Sequence, residues 1–372
     1  MLRRIILNSI LLGFLAGFIF LGAWISFLLT PLVTEPAGIR YQLRPGTSLK
    51  TLSANLQDQG LVRHPVFFNL LVRLRGSTHE LKAGIYLIPR GTTPSRLLTQ
   101  LTSGTGLLYH VFTIIPGWSF QQLRSALAHE EHLQQTLQAA NDADIMKLLG
   151  APTLSPEGEF YPDTYYYIEG TSDQKLLSRA FKRMQMKLQE AWLKRDPSLK
   201  LNAYEALTAA SLVEKESHLS SERPVIAGVI FNRLEKKMPL QCDPTVVFGV
   251  YQWEQTHKGA TLGFNGVIRK QDLQLKSAYN TYLRKGLPPT PIAMPSLDSI
   301  NAVLHPVQHR YIYFVATGSG GHQFSATLAE HHLAVMMLRF HEQGFFNYFK
   351  IRSYLLERLS FDGLEEPMHA LQ

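Results

Sequence analysis

The chain has 372 residues, 45% of them hydrophobic and 18% charged, with Lys+Arg 37 against Asp+Glu 29 and a formal net charge of +8. That is too long for one small domain and too apolar for wholesale disorder. The single cysteine, Cys242, excludes an internal disulfide framework and any zinc cluster built on several thiolates.

Arg3 and Arg4 precede an uncharged run from Ile5 to Thr34, 30 residues long. About 20 apolar residues cross a bilayer as a helix, whereas a secretory signal needs only about 7–15. Phe27, Leu28 and Leu29 stand where a cleavage site would need small residues. The run therefore predicts an uncleaved single-pass anchor over 5–34. Its positive flank places residues 1–4 in the cytoplasm and everything after about Pro36 outside. A basic ectodomain can meet an acidic polymer or an anionic lipid surface. No nucleic-acid-binding signature is present.

Gly38 to Arg44 alternates as a short strand, and Pro45-Gly46 turns the chain. Thr47 or Ser48 can cap a helix through Leu49, Leu52 and Leu56 that ends at Gly60. Pro65 opens a second helix closed by Gly76, and Ala83 to Ile88 reads as a returning strand. Thr92 or Thr93 starts a further helix to Gly104, and Leu107 to Ile115 reads as a strand. Ser119 caps a helix through Leu127, and a weak helical pattern covers Ala139 to Gly150. Glu157 to Tyr167 is irregular, aromatic and acidic. Asp173 opens a long amphipathic helix to about Arg195, Asn202 caps one to Glu216, and Ser220 or Ser221 caps one ending near Lys237. Met238 to Arg284 reads as loops and short elements. Ile312 to Val315 is a strand, Gly318 to Gly321 a turn, and Thr327 caps a helix through Leu338. The tail beyond Phe346 reads as a basic helical extension.

Several motif-like clusters do not complete a known sequence signature. His129-Glu130-Glu131-His132 lacks the spacing of a two-histidine zinc helix. His305 and His309 are separated by Pro306, which favours a turn over a shared helix face. Gly318, Gly320 and Gly321 do not complete a nucleotide fingerprint, and Asp243 beside Cys242 opposes thiolate formation. The helix from Asn202 to Glu216 differs, because Ala206, Leu207, Ala209, Ala210, Leu212 and Val213 point in nearly every direction. Such a helix is buried on most sides. A carboxylate at its end is partly desolvated, which raises its pKa and lets it hold a proton near neutral pH. Glu214 and Glu216 both meet that description, and periodicity does not choose between them.

Ser211-Leu212-Val213-Glu214-Lys215-Glu216, Ser221-Glu222-Arg223, Phe231-Asn232-Arg233-Leu234 and Leu240-Gln241-Cys242-Asp243-Pro244-Thr245-Val246 together resemble the MltG/YceG family of membrane-anchored endolytic murein transglycosylases. The likeness continues through Ser277 to Tyr282, Gly286 to Pro289, Tyr311 to Val315 and Gly320-Gly321-His322, with Tyr161 to Tyr165 upstream. Cys242 stands where the family usually has Thr or Ser, and Pro291 replaces a more usual small residue.

The resemblance implies an α+β chain: the anchor, a small LysM-like βααβ module over 38–104, a mixed α/β catalytic domain over 105–345, and an unassigned extension over 346–372. It implies that Glu216 is the catalytic residue and that Glu214 supports it. Asn232, Gln241, Asp243, Thr245, Tyr279, Asn280 and Thr281 are expected to line a glycan cleft. No metal or cofactor is called for, since one carboxylate serves as acid and then base. The implied reaction cleaves the bond between N-acetylmuramic acid and N-acetylglucosamine within nascent strands, leaving 1,6-anhydro ends and limiting strand length. The expected partners are peptidoglycan strands and cell-wall synthases such as penicillin-binding proteins, at the bacterial inner membrane with the catalytic domain outside. A non-catalytic glycan-binding scaffold and a hydrolytic muramidase are the competing readings.

Overall fold

The structure is a computed structural model describing residues 2–257 and 262–342. Helix α1 (Leu2–Leu29) is followed by β1 (Ile39–Leu43), α2 (Leu49–Asp58), α3 (Pro65–Leu74), β2 (Gly84–Ile88) and α4 (Pro94–Ser103). Next come β3 (His110–Thr113), α5 (Phe120–Ala128), α6 (Asp142–Leu148), β4 (Thr164–Tyr167) and α7 (Asp173–Trp192). The remainder is α8 (Ala203–Glu216), α9 (Arg223–Glu235), α10 (Asp243–Thr256), α11 (Leu297–Leu304), β5 (Tyr313–Ala316), β6 (His322–Ser325) and α12 (Leu328–Glu342). The mixture is α+β, and among the described residues six strands form three separate antiparallel pairs. Two compact units share the chain. One holds the described residues up to Ile114, Ser125–Ala140 and Thr164–Ser178; the other holds Ile115–Arg124, Asn141–Asp163 and the described residues from Arg179 on.

In the first unit the strand, helix, helix, strand order is present as expected. β1 pairs antiparallel with β2, Tyr41 opposite Tyr86 and Leu43 opposite Gly84. The period-two alternation turns Tyr41, Leu43, Tyr86 and Ile88 inward, onto Leu52, Leu56, Phe68, Val72, Leu97 and Leu101. Ser48 caps α2 through the amide of Thr51, and Thr93 caps α4 through that of Arg96. Gly84 holds φ 145, a conformation that favours glycine, and a Cβ there would lie 2.4 Å from a Leu107 methyl, which would have to shift.

The apolar run is split. Ile6–Leu29 is a 24-residue helical stretch of mean hydropathy 2.3, long and apolar enough to cross a membrane. The helix stops two residues before Pro31, and Phe27 and Val33 are buried in the first unit's core. The last residues of the run therefore attach the helix to the domain.

The expected strand over Leu107–Ile115 is also divided, because its residues have two partners. Leu107 bridges Tyr86 and the Leu108 amide bonds the Ile85 carbonyl at 2.7 Å, while His110–Thr113 pair with β4. Asp173 at the start of α7 does more than open the helix. Its buried carboxylate accepts the amides of Thr136 at 2.9 Å and Leu137 at 3.0 Å, and the Thr136 hydroxyl.

In the second unit the expectation of loops over Met238–Arg284 fails at α10, a 14-residue helix. Asp243 and Pro244 form a good first turn, but Val246, Val247, Phe248 and Gly249 give little amphipathic signal because one side and both flanks are buried. The core of this unit joins the second half of α7 to α8, α9, α10 and α11 through Met184, Leu207, Ala210, Leu212, Ile226, Ile230, Phe248 and Val303. The expected extension beyond Phe346 lies outside the described residues. Replacing Asp173 by Ala orphans the buried Leu137 amide and the part-buried Thr136 amide and should cost about 2–3 kcal/mol, read as a lower midpoint in chemical unfolding followed by circular dichroism.

Candidate active site at the end of a buried helix

Helix α8 starts with a reciprocal cap. The Asn202 side chain accepts the Glu205 amide at 2.9 Å, and the Glu205 carboxylate accepts the Asn202 amide at 2.8 Å. Ala206 through Glu214 are then all buried. The small alanines let neighbouring helices pack on every side, and the helix ends at Glu216 where Ser217 turns extended.

Geometry separates the two glutamates that periodicity left level. Glu214 is fully engaged. Its Oε1 pairs with Arg223 at 3.2 Å, and its Oε2 accepts the Ser296 amide at 2.9 Å, the Ser296 hydroxyl at 2.5 Å and the Ser299 hydroxyl at 2.7 Å. It ties α8 to α9 and α11. Glu216 retains partial access to solvent. Burial of its carboxyl and the nearby negative charge of Asp243 raise its pKa to about 7, against the lowering effect of a hydrogen bond from Cys242 and the charge of Arg233. Glu216 combines access with a proton held near neutrality, whereas Glu214 is buried and spends both oxygens on its partners.

The surroundings of Glu216 come from the turn between α9 and α10. Arg233 fixes that turn by donating to the carbonyls of Leu240 at 2.7 Å and Pro239 at 3.2 Å and to the Gln241 side chain at 3.2 Å. Its Nε reaches the Ile312 carbonyl at 2.6 Å, and its guanidinium lies over the Tyr313 ring. Gln241 sits at φ 53, a left-handed conformation a non-glycine residue adopts only when its neighbours enforce it. The Gln241 amide bonds the Thr281 carbonyl at 3.1 Å. The Cys242 amide bonds the Thr281 hydroxyl at 3.0 Å, that hydroxyl bonds Thr245 at 2.8 Å, and Thr245 returns to the Cys242 carbonyl at 2.6 Å. This closed ring holds the Cys242 thiol beside Glu216. Burial and the Glu216 charge push that thiol well up, so it stays protonated and donates. Asp243 follows as the first residue of α10 and accepts the Tyr282 hydroxyl at 2.5 Å.

The seven residues expected to line a cleft divide by what their polar atoms do. Gln241 and Asp243 lie in the turn that surrounds Glu216. Tyr279 packs edge-on to Phe248 and bonds Thr290 at 3.0 Å. Thr245 and Thr281 are buried in the ring just described. Asn280 is buried too, donating to the carbonyls of Leu273 and Leu275 at 2.9 Å each. Asn232 donates to the carbonyls of His309 and Tyr311 at 2.9 Å each. The last four hold backbone. An open cleft of about 500 Å³ lined by Asn202, Tyr204, Thr208, Leu234 and Leu287 lies at the other end of α8 and includes none of the seven.

Sequence reasoning assigned no role to Glu157 and Glu159. Glu157 accepts the Phe120 amide, the first of α5, with both oxygens at 2.9 and 3.1 Å, and burial raises its pKa to about 8. Burial likewise raises Glu159 to about 7, partly offset by a bond from Gln185 at 2.6 Å. Gly158 between them packs on Pro291, 2.4 Å from where a Cβ would stand, so the unusual proline meets a residue with no side chain. The motifs Ser221-Glu222-Arg223 and Gly320-Gly321-His322 also meet, with the His322 ring 2.7 Å from Glu222 and its amide 2.8 Å away.

The YceG-like family matches residues 41–337. The chain belongs to the YceG-like family. It is 30% identical to an endolytic murein transglycosylase of Bacillus subtilis over 80% of this chain and 83% of that protein. It is 28% identical to an endolytic murein transglycosylase of Streptococcus pneumoniae, over 77% of this chain and 56% of that longer protein. A solved yceG-like protein from Listeria monocytogenes superposes with TM-score 0.50 at 28% identity, over 80% of this chain and 99% of that one. Both Glu214 and Glu216, and all seven expected cleft residues, fall within the span that matches the YceG-like family.

Two outcomes test these assignments. Glu214→Ala leaves Arg223 buried without its partner and should cost about 3–5 kcal/mol, whereas Glu216→Gln should leave the unfolding midpoint unchanged or raised. The raised carboxyls also set a sign. Glu157, Glu159 and Glu216 bind protons more tightly folded than unfolded, so the stability they give is full below about pH 4.5 and is lost as pH rises towards about 7–8. The melting temperature should therefore fall between those limits, and Glu157→Gln should flatten the fall.

Proposed function

We propose that this chain is a membrane-anchored endolytic murein transglycosylase and that Glu216 is its acid and base. The observation that carries the reading is a partly accessible carboxyl, at the end of a buried helix, whose pKa is raised to about 7. The names of the relatives supply the substrate, and the protonation state of Glu216 supplies the chemistry.

Glu216 protonates the oxygen linking N-acetylmuramic acid to N-acetylglucosamine, and the C1–O bond breaks. The substrate's own acetamido group steadies the oxocarbenium-like C1. Glu216, now a carboxylate, takes the proton of the C6 hydroxyl as that oxygen closes onto C1. The acid is regenerated, no water is consumed, and a 1,6-anhydro end remains. One carboxyl suffices because the nucleophile is intramolecular, whereas hydrolysis generally uses two. Gln241, Asp243 and Tyr279 would contact the glycan; Asn232, Thr245, Asn280 and Thr281 would hold the shape of the cleft. Helix α1 would anchor the chain in the bacterial inner membrane with the basic N-terminus inside, and the catalytic unit would cut nascent strands outside, beside the synthases that extend them. The βααβ portion would be a LysM-like module.

The test is mass spectrometry of products from uncrosslinked glycan strands. Internal fragments with anhydro-muramic ends are expected, with the rate reduced at least about 10²–10⁴-fold in Glu216→Gln. Reducing ends would make the chain a muramidase, and strands bound but uncut would make it a scaffold. The pH profile gives a second check. The acid must be protonated in the free enzyme, so kcat/KM should fall above about pH 7. Asp243→Asn removes a charge that raises this pKa and should move the alkaline limb down; Cys242→Ala removes a bond that lowers it and should move the limb up.

A further inference from the structure

Three side chains from separate segments of the first unit converge. His110 is the first residue of β3, Glu169 follows the end of β4, and His132 lies in the turn after α5. His110 Nε2 is 2.9 Å and His132 Nδ1 is 3.1 Å from the same oxygen, Oε2 of Glu169. The two imidazoles stack with centroids 3.8 Å apart and planes 20° from parallel. That arrangement turns one nitrogen of each ring towards a single carboxylate oxygen. The three ligand atoms all lie within 4.8 Å of one another.

We propose that His110, His132 and Glu169 bind one divalent transition-metal cation of the zinc type. Imidazole nitrogen and carboxylate oxygen are the donors such ions take, at about 2.0–2.2 Å. Ligand atoms on a tetrahedron with bonds of that length stand about 3.3–3.5 Å apart. The two nitrogen–oxygen separations, 2.9 and 3.1 Å, fall a few tenths of an ångström short of that edge. A cation replaces the two hydrogens that otherwise face Glu169, and the ligands open slightly to admit it. Side-chain exposures of 26% for His110, 45% for His132 and 33% for Glu169 leave an entry path and room for water in a fourth position.

The surrounding backbone gives the site a structural role. The Gly170 amide bonds the His132 carbonyl at 3.2 Å, and Gln134 bridges Ser172, so the two turns are already held together. The strands β3 and β4 are joined only through a long intervening segment, with Thr113 opposite Thr164. A metal across their open end restrains that closure, and the binding free energy adds to stability. The spacing of His129 and His132 does not reveal the site, because the partners of His132 are distant in sequence and His129 instead bonds the Ser125 carbonyl. His110, His132 and Glu169 belong to the first unit and Glu216 to the second.

The test uses the full chain in detergent, stripped with a chelator and dialysed against zinc sulfate. One zinc per chain and a rise in melting temperature on its addition are expected. His132→Ala and Glu169→Gln should each weaken zinc affinity at least about 10–100-fold and abolish the rise, while His129→Ala, outside the cluster, should change neither. His132 is half exposed, so its variant should fold, and its metal-free melting curve checks that it does. No zinc retained by the wild type, or equal retention in the wild type and His132→Ala, would overturn the proposal.

Discussion

The site depends on one buried carboxylate that takes no part in the proposed reaction. Glu214 draws together α8, α9 and α11 through Arg223, Ser296 and Ser299. Burying a charge is costly unless it is paired and hydrogen-bonded, and here both oxygens are satisfied. The clamp fixes the last turn of α8 and with it Glu216, the final residue of the helix, two residues after Glu214. Sequence neighbours with the same side chain thus divide the work: one sets the frame and the other keeps a proton.

That proton is held by a balance of opposing effects. Desolvation and Asp243 favour the neutral form of Glu216; Cys242 and Arg233 favour the anion. A carboxyl that must give a proton and then take one back needs both forms within reach near neutral pH. Arg233 serves twice, since the guanidinium that eases the anion also pins the turn carrying Gln241, Cys242 and Asp243. The left-handed backbone at Gln241 is the local cost of aiming that turn at Glu216.

Much of this was legible from the sequence because its causes are local. Caps at Ser48, Thr93 and Asn202, and the alternation of Tyr41 and Tyr86, follow from nearest-neighbour geometry. What escaped was non-local. Helix α10 is buried too widely to show an amphipathic stripe, and Leu107–Ile115 looks uniform although its ends serve different strands. The apolar run past Leu29 reads as membrane but packs as core, because hydropathy does not distinguish lipid from a protein interior. Periodicity left Glu214 and Glu216 level and the resemblance favoured Glu216; the physical reason lies in the partners of Glu214, which stand up to 85 residues away. Asn232, Thr245, Asn280 and Thr281 have the chemistry of sugar ligands, yet spend their side chains on backbone and on each other.

The most direct measurement is the titration of the Glu216 carboxyl itself, by infrared difference spectroscopy of the wild type against Glu216→Gln across pH 4–9. A protonated carboxyl band that persists through pH 6 and is lost with a midpoint near 7 is the predicted result. A midpoint at the ordinary glutamate value of about 4.3 would contradict it, because Glu216 would then be a carboxylate near neutral pH and could not serve as the proposed acid.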